Sequence, residues 1–526
     1  MKLTYVSHAC LLMEHKNISV VTDPWFNGPA YLNQWHVFPR PVDTAFTTRV
    51  TDIILTHGHE DHLHVPTLKL MNKDARVYYP YTWKAGTKEL LKSIGFSKIE
   101  EVPSFKKIRL SDNMAFTFIV NGLDAFAVYE YEDKVIVNLN DALNASHWSF
   151  VEIFARMIRS RWKTVDLLIC GLGGASYFPN TVHAPMKDDY EIAQLREQFL
   201  AHKCCEIMEE IKPLCVMPFV PGFALLEKDK MWINKMRFSR NRLQQYYLDH
   251  FNKNSAIEFV SPLPGDFLDL DTPEEMWHKV SPYHKQVIDD NFSHLVEEQY
   301  SEEIKLANTY KIQSAEKAYS LAKKLNSIFP VSRSGISEDL LKQVNFVIQL
   351  LDVEEEIYIY CYYKEGEIVS ETATEIPSSA NLKITTHTWK LDYAIKELWG
   401  GDVFFIGYGA DICVLEESCL IDNIDIVSIR LLSRFPSASR TMRHEPVRAI
   451  KYLTGNPAYA ALAFKQKLYT RGNPNKLPFN ERSHWVNKGK CDVCRLCDIP
   501  LLSDEFGNIL MEKEEARNKE SDIVSR

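Results

Sequence analysis

Thr56-His57-Gly58-His59-Glu60-Asp61-His62-Leu63-His64, directly after the apolar run Ile53-Ile54-Leu55, decides how this chain is read. The run is short and rich in β-branched residues, so it reads as a buried strand, with the histidine-rich stretch as the loop leaving it. His57, His59, Asp61 and His62 place four potential metal ligands within six residues. On such a loop His57 and His59 point to one side while Asp61 and His62 wrap to the other, an arrangement that can serve two adjacent cations. Imidazole and carboxylate donors suit zinc and iron, and no thiol lies nearby to favour copper(I) or an iron–sulfur cluster. The loop is therefore expected to be a metal centre and not a histidine-rich surface loop.

Outward from the loop, residues 3–6, 18–22, 77–79 and 115–120 read as further short strands, and 67–72 and 82–94 as helices. Residues 125–131 and 134–139 form a hairpin around Glu132 and Asp133, 188–212 a long helix, and 167–170 and 216–220 buried strands. Strands alternating with helices predict an α/β layered domain over 1–275. A helical connector, 276–340, and a smaller α+β C-terminal domain, 341–511, are expected to follow. In that domain 344–351, 356–363, 367–371 and 383–386 look like an antiparallel meander, followed by a helix at 391–398. Residues 512–526 are charged, lack apolar periodicity and read as a disordered tail.

The 526 residues are 45% hydrophobic and 25% charged, which excludes a disordered or fibrous chain. With 61 Lys plus Arg against 70 Asp plus Glu, the net charge of −9 argues against a nucleic-acid binder. No window is apolar and long enough to span a membrane, and the apolar run at 9–13 is too short for a secretory signal. Eleven cysteines form an odd count, and eight of them are spread without framework spacing, which fits a reduced, cytoplasmic setting.

The H-x-H-x-D-H loop after a strand resembles the signature of the metallo-β-lactamase fold, which implies an αββα sandwich. Thr22-Asp23-Pro24-Trp25 is similar to that fold's first motif, whose Asp (here Asp23) supports the ligand loop from behind. Asn138-Leu139-Asn140-Asp141 is similar to its fourth motif, whose Asp (here Asp141) commonly bridges two metals. Over residues 1–275 the chain resembles more specifically the CMP-N-acetylneuraminate hydroxylases, in the region that follows their Rieske domain. The pieces that match in order are Leu3 to Leu11, Thr22 to Trp25 with Gly28-Pro29-Ala30, and His57 to His62 with Pro66-Thr67-Leu68-Lys69. Asp124, Asn138 to Asp141, Gly173 to Ser176, Pro218-Phe219 with Gly222-Phe223, and Pro264-Gly265 with Leu268 to Leu270 continue them.

This sequence departs from the family in three places. It contains no C-x-H and C-x-x-H pairing of a Rieske cluster, so an oxygenase of this kind is expected to take electrons from a separate protein. The third-motif His is missing from Val120-Asn121-Gly122-Leu123-Asp124, which makes Asp124 a candidate replacement ligand or merely a turn cap. The fifth-motif His is missing from Phe219 to Phe223, which leaves a mononuclear site or an oxygen-rich, iron-tolerant one. His8, after the first strand, is a further candidate ligand, and His183 lies on a loop that in this fold can overhang the site.

For an anionic substrate the basic candidates are Arg237 and Arg240, within a run that also holds Lys235 and Arg242, and Arg434, Arg440 and Arg443, flanked by Arg430 and Arg448. Either group can equally be a solvated, ion-paired face. Cys491, Cys494 and Cys497, with His484 upstream, can hold a structural zinc or part of an iron–sulfur cluster, or remain free thiols. Residues 343–415 faintly resemble a sterol-carrier-type module, lipid-binding or dimerising, so a homodimer is one expected assembly.

The resemblance implies an oxygenase with one or two non-haem irons on His57, His59, Asp61, His62 and Asp141, acting on a small anionic metabolite such as a nucleotide sugar. The alternative is a zinc or iron hydrolase in which Asp61 or Asp141 serves a metal-activated water. A scaffold with a vestigial site is a third reading, disfavoured by retention of the whole loop.

Overall fold

The computed structural model describes most of residues 1–464, the chief internal exceptions being 83–85, 144–147, 174–181, 184–187, 273–276, 416–423 and 434–444. Two seven-stranded sheets form the N-terminal half. The first runs Phe267–Asp269, Lys2–Ser7, Cys10–His15, Ile18–Thr22, Asp52–Ile54, Arg76–Pro80 and Ile99–Val102. Lys2–Ser7, Cys10–His15 and Ile18–Thr22 pair antiparallel because two-residue turns join them in sequence, and Phe267–Asp269, from far along the chain, adds antiparallel to Lys2–Ser7. From Ile18–Thr22 onward pairing is parallel, and the helices Val65–Leu70 and Thr87–Ile94 make the crossovers between the last three strands.

The second sheet runs Glu258–Phe259, Cys215–Phe219, Leu167–Gly171, Lys134–Asn140, Asp124–Tyr131, Met114–Asn121 and Lys107–Arg109. Its strands are covered on both faces, which is why all eight residues of Met114–Asn121 are buried. Phe116, Phe118 and Val120 point into the core between the sheets with Leu3, Leu11 and Val20. Ile119 points the other way, beneath the helices Trp148–Arg161 and Asp189–Ile211. The helices Val65–Leu70 and Thr87–Ile94 cover the outer face of the first sheet through Leu68 and Leu91. Helix, sheet, sheet and helix make the expected αββα sandwich.

The third sheet departs from the expected meander. Asn345–Leu350, Tyr358–Lys364 and Glu367–Ala373 are antiparallel neighbours, but Leu382–Thr386 returns parallel to Asn345–Leu350, because the chain crosses the sheet between 373 and 382. Asp411–Val414 follows, and its outer neighbour is Val182–His183, lent by the N-terminal half. Helix Ala315–Ser332 buries Leu321, Leu325 and Phe329 in the core of this sheet, so it is part of the C-terminal unit and not only a connector. Asp402–Phe405, after the Trp399 turn, is a short helix. Among the described residues, no helix is long and apolar enough to cross a membrane.

Candidate metal centre

Parallel pairing brings the C-terminal ends of several strands to one edge of the sandwich, where the connecting loops meet. His8 ends the first strand, Asp23 the third, and Asn140 the central strand of the second sheet. All three have left-handed backbones, with φ of 41°, 40° and 53°. His, Asp and Asn bear this conformation better than most residues, and it turns each side chain inward at the strand end.

The signature loop divides as its spacing predicts. On one side His57 Nε2 lies 2.9 Å from His59 Nδ1 and 3.8 Å from Asp141 Oδ2. On the other, His62 Nε2 lies 3.2 Å from both Asp61 Oδ2 and Asp141 Oδ2. Donors held about 2.1 Å from a common ion stand roughly 3 to 3.4 Å apart, which the 2.9 and 3.2 Å separations approach and the 3.8 Å separation exceeds; the donors fall into two groups, His57 with His59 and Asp141, and His8 with Asp61 and His62. His62 Nε2 is itself buried and has no hydrogen-bond partner among the described residues. An orphaned imidazole nitrogen between two carboxylates is what a missing cation leaves behind. Burial disfavours the His62 cation, but Asp61, Asp141 and Asp23 outweigh it and hold the imidazole well above its ordinary pKa. Burial also opposes ionisation of Asp61, yet His62 and His8 keep it well below the carboxylate range.

A buried network fixes the loop from behind. Asp23 accepts from the Thr56 backbone N–H at 2.7 Å, from Thr56 Oγ1 at 2.8 Å and from Asn140 Nδ2, and its Oδ2 lies 3.4 Å from His62 Nδ1. With Nδ1 turned to Asp23, His62 presents Nε2 to the metal positions. Asp61 Oδ1 accepts from the Tyr31 hydroxyl at 2.5 Å, and Glu60 accepts from the Tyr31 backbone N–H at 2.8 Å. Burial, with Asp61 adjacent, pushes Glu60 up to about 7. His64, although in the signature stretch, caps helix Val65–Leu70 through Thr67 and is no part of the centre.

His8 reaches the site, with Nε2 3.0 Å from Asp61 Oδ2, and falls in one ligand group with Asp61 and His62. The Gly222 backbone N–H donates to His8 Nδ1 at 3.1 Å, and burial keeps the ring neutral. A neutral imidazole that accepts at Nδ1 carries its proton on Nε2, so without a metal His8 donates to Asp61. Gly222 packs so closely here that an added methyl would stand 2.7 Å from His8 Cα. The place where the fifth-motif histidine is missing is thus filled by His8.

The remaining candidates are dispersed. Asp124 pairs opposite Asn121 at the start of its strand and is in neither ligand group among the described residues. His183 does not overhang the site but bonds Asp189 at 2.7 Å and Asp411 at 3.0 Å. The Arg237 guanidinium stacks on Phe223, 4.4 Å from its centroid, and that ring lies 6.2 Å from His8. Burial lowers Arg237 to about 10. Arg240 sits 5.8 Å from the Tyr5 ring. Arg448 pairs with Glu101 at 2.6 Å and Arg430 donates to the Ser334 carbonyl, so both are internal contacts. Arg434, Arg440, Arg443, His484, Cys491, Cys494 and Cys497 lie outside the described residues. Sequence reasoning missed Tyr31, whose one visible signal is its place directly after Gly28-Pro29-Ala30.

Fold and centre together define a metallo-β-lactamase-type domain, a fold of metal-dependent enzymes, and residues 2–134 match the β-lactamase superfamily domain model. Within that class the chain is similar to cytidine monophosphate-N-acetylneuraminic acid hydroxylase of Danio rerio, 25% identical over 285 residues, 51% of this chain and 46% of that protein. The chain spans about half the length of the curated relatives it matches. Among solved structures, isothiocyanate hydrolase from Delia radicum gut bacteria aligns at 14% identity and TM-score 0.36, covering 51% of this chain and 99% of that one. CmlA, a diiron β-hydroxylase from Streptomyces venezuelae, aligns at 18% identity and TM-score 0.34, covering 49% and 52%.

Proposed function

We propose that the chain is a non-haem iron oxygenase of the hydroxylase type, acting on a small anionic metabolite such as a nucleotide sugar. The observation that carries this reading is the donor chemistry. His57, His59 and Asp141 form a two-histidine, one-carboxylate set, the hallmark of non-haem iron(II) oxygenases, beside a second group of His8, Asp61 and His62. Similarity to the hydroxylases over half the chain supports it. Iron held there supplies the dioxygen activation that insertion into a C–H bond requires.

The chain's own residues bind and orient. Asp141, with its side chain 36% exposed, is the ligand that opens to solvent, whereas His62 and Asp61 are closed in, so substrate approaches from the Asp141 side. Arg237, one ring away from His8, is the cation proposed to hold an anionic group. Inserting one oxygen atom and releasing the other as water consumes two electrons and two protons, which a separate electron-transfer protein would deliver.

The same set is also a hydrolytic zinc set, which keeps the hydrolase as the second reading. Metal analysis of protein purified anaerobically, with acid-labile sulfide measured in parallel, separates the two. Iron at one to two per chain, with substrate gaining one oxygen atom in the presence of a reductant, is the expected result. Zinc without iron, together with hydrolysis of phosphate or ester substrates, would replace the oxygenase by the hydrolase. Sulfide above background would assign Cys491, Cys494 and Cys497 to a cluster.

A further inference from the structure

Asp61 is held from two sides, by His8 at Oδ2 and by Tyr31 at Oδ1. The Tyr31 bond is the shorter, and in it the phenol hydroxyl donates to the carboxylate. A donor on the outer oxygen keeps the carboxylate from turning to present both oxygens, leaving Oδ2 to face His62 and Asp141.

Tyr31 does not hold this pose by local preference. Tyr31, Leu32 and Asn33 are three successive residues in the left-handed region, at φ of 52°, 53° and 68°. Each costs about 1 kcal/mol or more, so something beyond the turn must maintain it. The C-terminal half supplies the support. Gln34 Nε2 donates to the Tyr31 carbonyl at 2.5 Å and also to the Val403 carbonyl at 3.3 Å. Two glycines let the 403–409 segment come this close. A methyl on Gly407 would stand 2.7 Å from Gln34 Nε2 and 2.8 Å from Tyr31 Cβ, and one on Gly409 would stand 2.5 Å from Gln34 Oε1. Between them Tyr408, also left-handed, joins the buried aromatic group of Tyr31, Trp25, Trp35 and Phe223.

We infer that Tyr31 is a positioning residue for the metal ligand Asp61, and that the C-terminal half sets the geometry of the centre by holding Tyr31 through Gln34 and the Gly407-to-Gly409 segment. The inference rests on the reading of a metal pair. It gives the C-terminal half a role at the N-terminal site.

The test is cobalt(II) binding to the metal-stripped full chain, followed by calorimetry and by the visible absorption of the bound ion. Wild type should bind two equivalents, and His59→Ala should identify the step belonging to His57, His59 and Asp141. Tyr31→Phe keeps the ring and removes the donor. It should weaken the other step by about 10- to 100-fold and shift its absorption, while the first step stays within about twofold. Gln34→Met removes the bonds to both the Tyr31 and the Val403 carbonyls without adding bulk and should change the same step in the same direction, and Gly407→Ala, which disturbs the approach from the C-terminal half alone, should reproduce it. Wild-type affinity and spectrum in Tyr31→Phe would refute the role of Tyr31. An effect in Tyr31→Phe with none in Gln34→Met would refute the part given to the C-terminal half. Failure of wild type to bind cobalt would instead remove the metal reading itself.

Discussion

At the scale of single residues, the centre separates ligands from the groups that make them ligands. His59 is half-buried on the loop and packs in none of the hydrophobic cores, so His59→Ala should lose one metal equivalent while the thermal midpoint of the metal-free protein stays unchanged; a fall in that midpoint would show that the loop is part of the folding core. Asp23 is the opposite case. It is fully buried, and its removal strands the Thr56 N–H and takes one acceptor each from the Thr56 hydroxyl and the Asn140 amide. Asp23→Ala should therefore destabilise the metal-free fold by about 3 kcal/mol in urea denaturation, far more than His59→Ala. Equal effects of the two substitutions would contradict this division. The loop, Asp23 and Asp141 are legible in the sequence because each stands at the end of an apolar run. Tyr31 is not, since a left-handed turn held by residues some 370 positions away leaves no periodic trace. His8 is visible as a residue but not as a donor, because its proton is assigned by the Gly222 backbone.

At the scale of elements, nine of the fourteen strands of the two packed sheets could be read to within a residue or two, because β-branched runs buried on both faces contrast sharply with the turns between them, whereas the short edge strands Ile99–Val102, Lys107–Arg109, Glu258–Phe259 and Phe267–Asp269 gave no such run. Cys10–His15 escaped this reading because its first four residues are all apolar and show no alternation. Val182–His183 escaped for another reason: two residues become a strand only through the partner Asp411–Val414 contributed by the other half. That pairing carries an ionic lock, in which His183 bonds Asp189 and Asp411 while Lys230 also pairs with Asp411. Burial opposes the His183 cation, but the two carboxylates raise it from 6.5 to about 9. Its contribution to folding is therefore complete below pH 6.5 and is lost as the pH rises through about 9. Asp411, lowered from 3.8 to about 2 by Lys230 and His183 against the cost of burial, contributes above pH 3.8 and fails only as the pH falls through about 2. Stability measured in denaturant from pH 6 to 9.5 should decline in wild type and run flatter in His183→Asn. Parallel curves would mean that the lock adds nothing to folding.

At the scale of the whole molecule, the N-terminal half was legible as a fold because its motifs recur at fixed structural places, whereas the C-terminal half offered only a strand count. Its sheet order depends on a crossover and a borrowed strand that no local pattern announces. Contacts across the junction are substantial: Lys390, 2% exposed, pairs with both oxygens of Glu227 at 2.6 and 2.9 Å, and Tyr408 sits in the aromatic group beside the centre. Metal binding should consequently be felt by both halves. A metal that binds only the folded chain stabilises it by about 2.7 kcal/mol when free metal is 100 times its dissociation constant. For a unit of 150 to 250 residues each kcal/mol raises the midpoint by about 2–4 °C, so chelation should lower it by about 5–10 °C. Hydrogen exchange shows where that energy is distributed. If the halves are coupled through Gln34 and Val403, chelation should reduce protection at 30–35 and 403–410 as well as at 56–62 and 138–141. Loss of protection confined to the last two stretches would show a metal centre energetically closed within the N-terminal half, with the C-terminal half folding independently of what the centre holds.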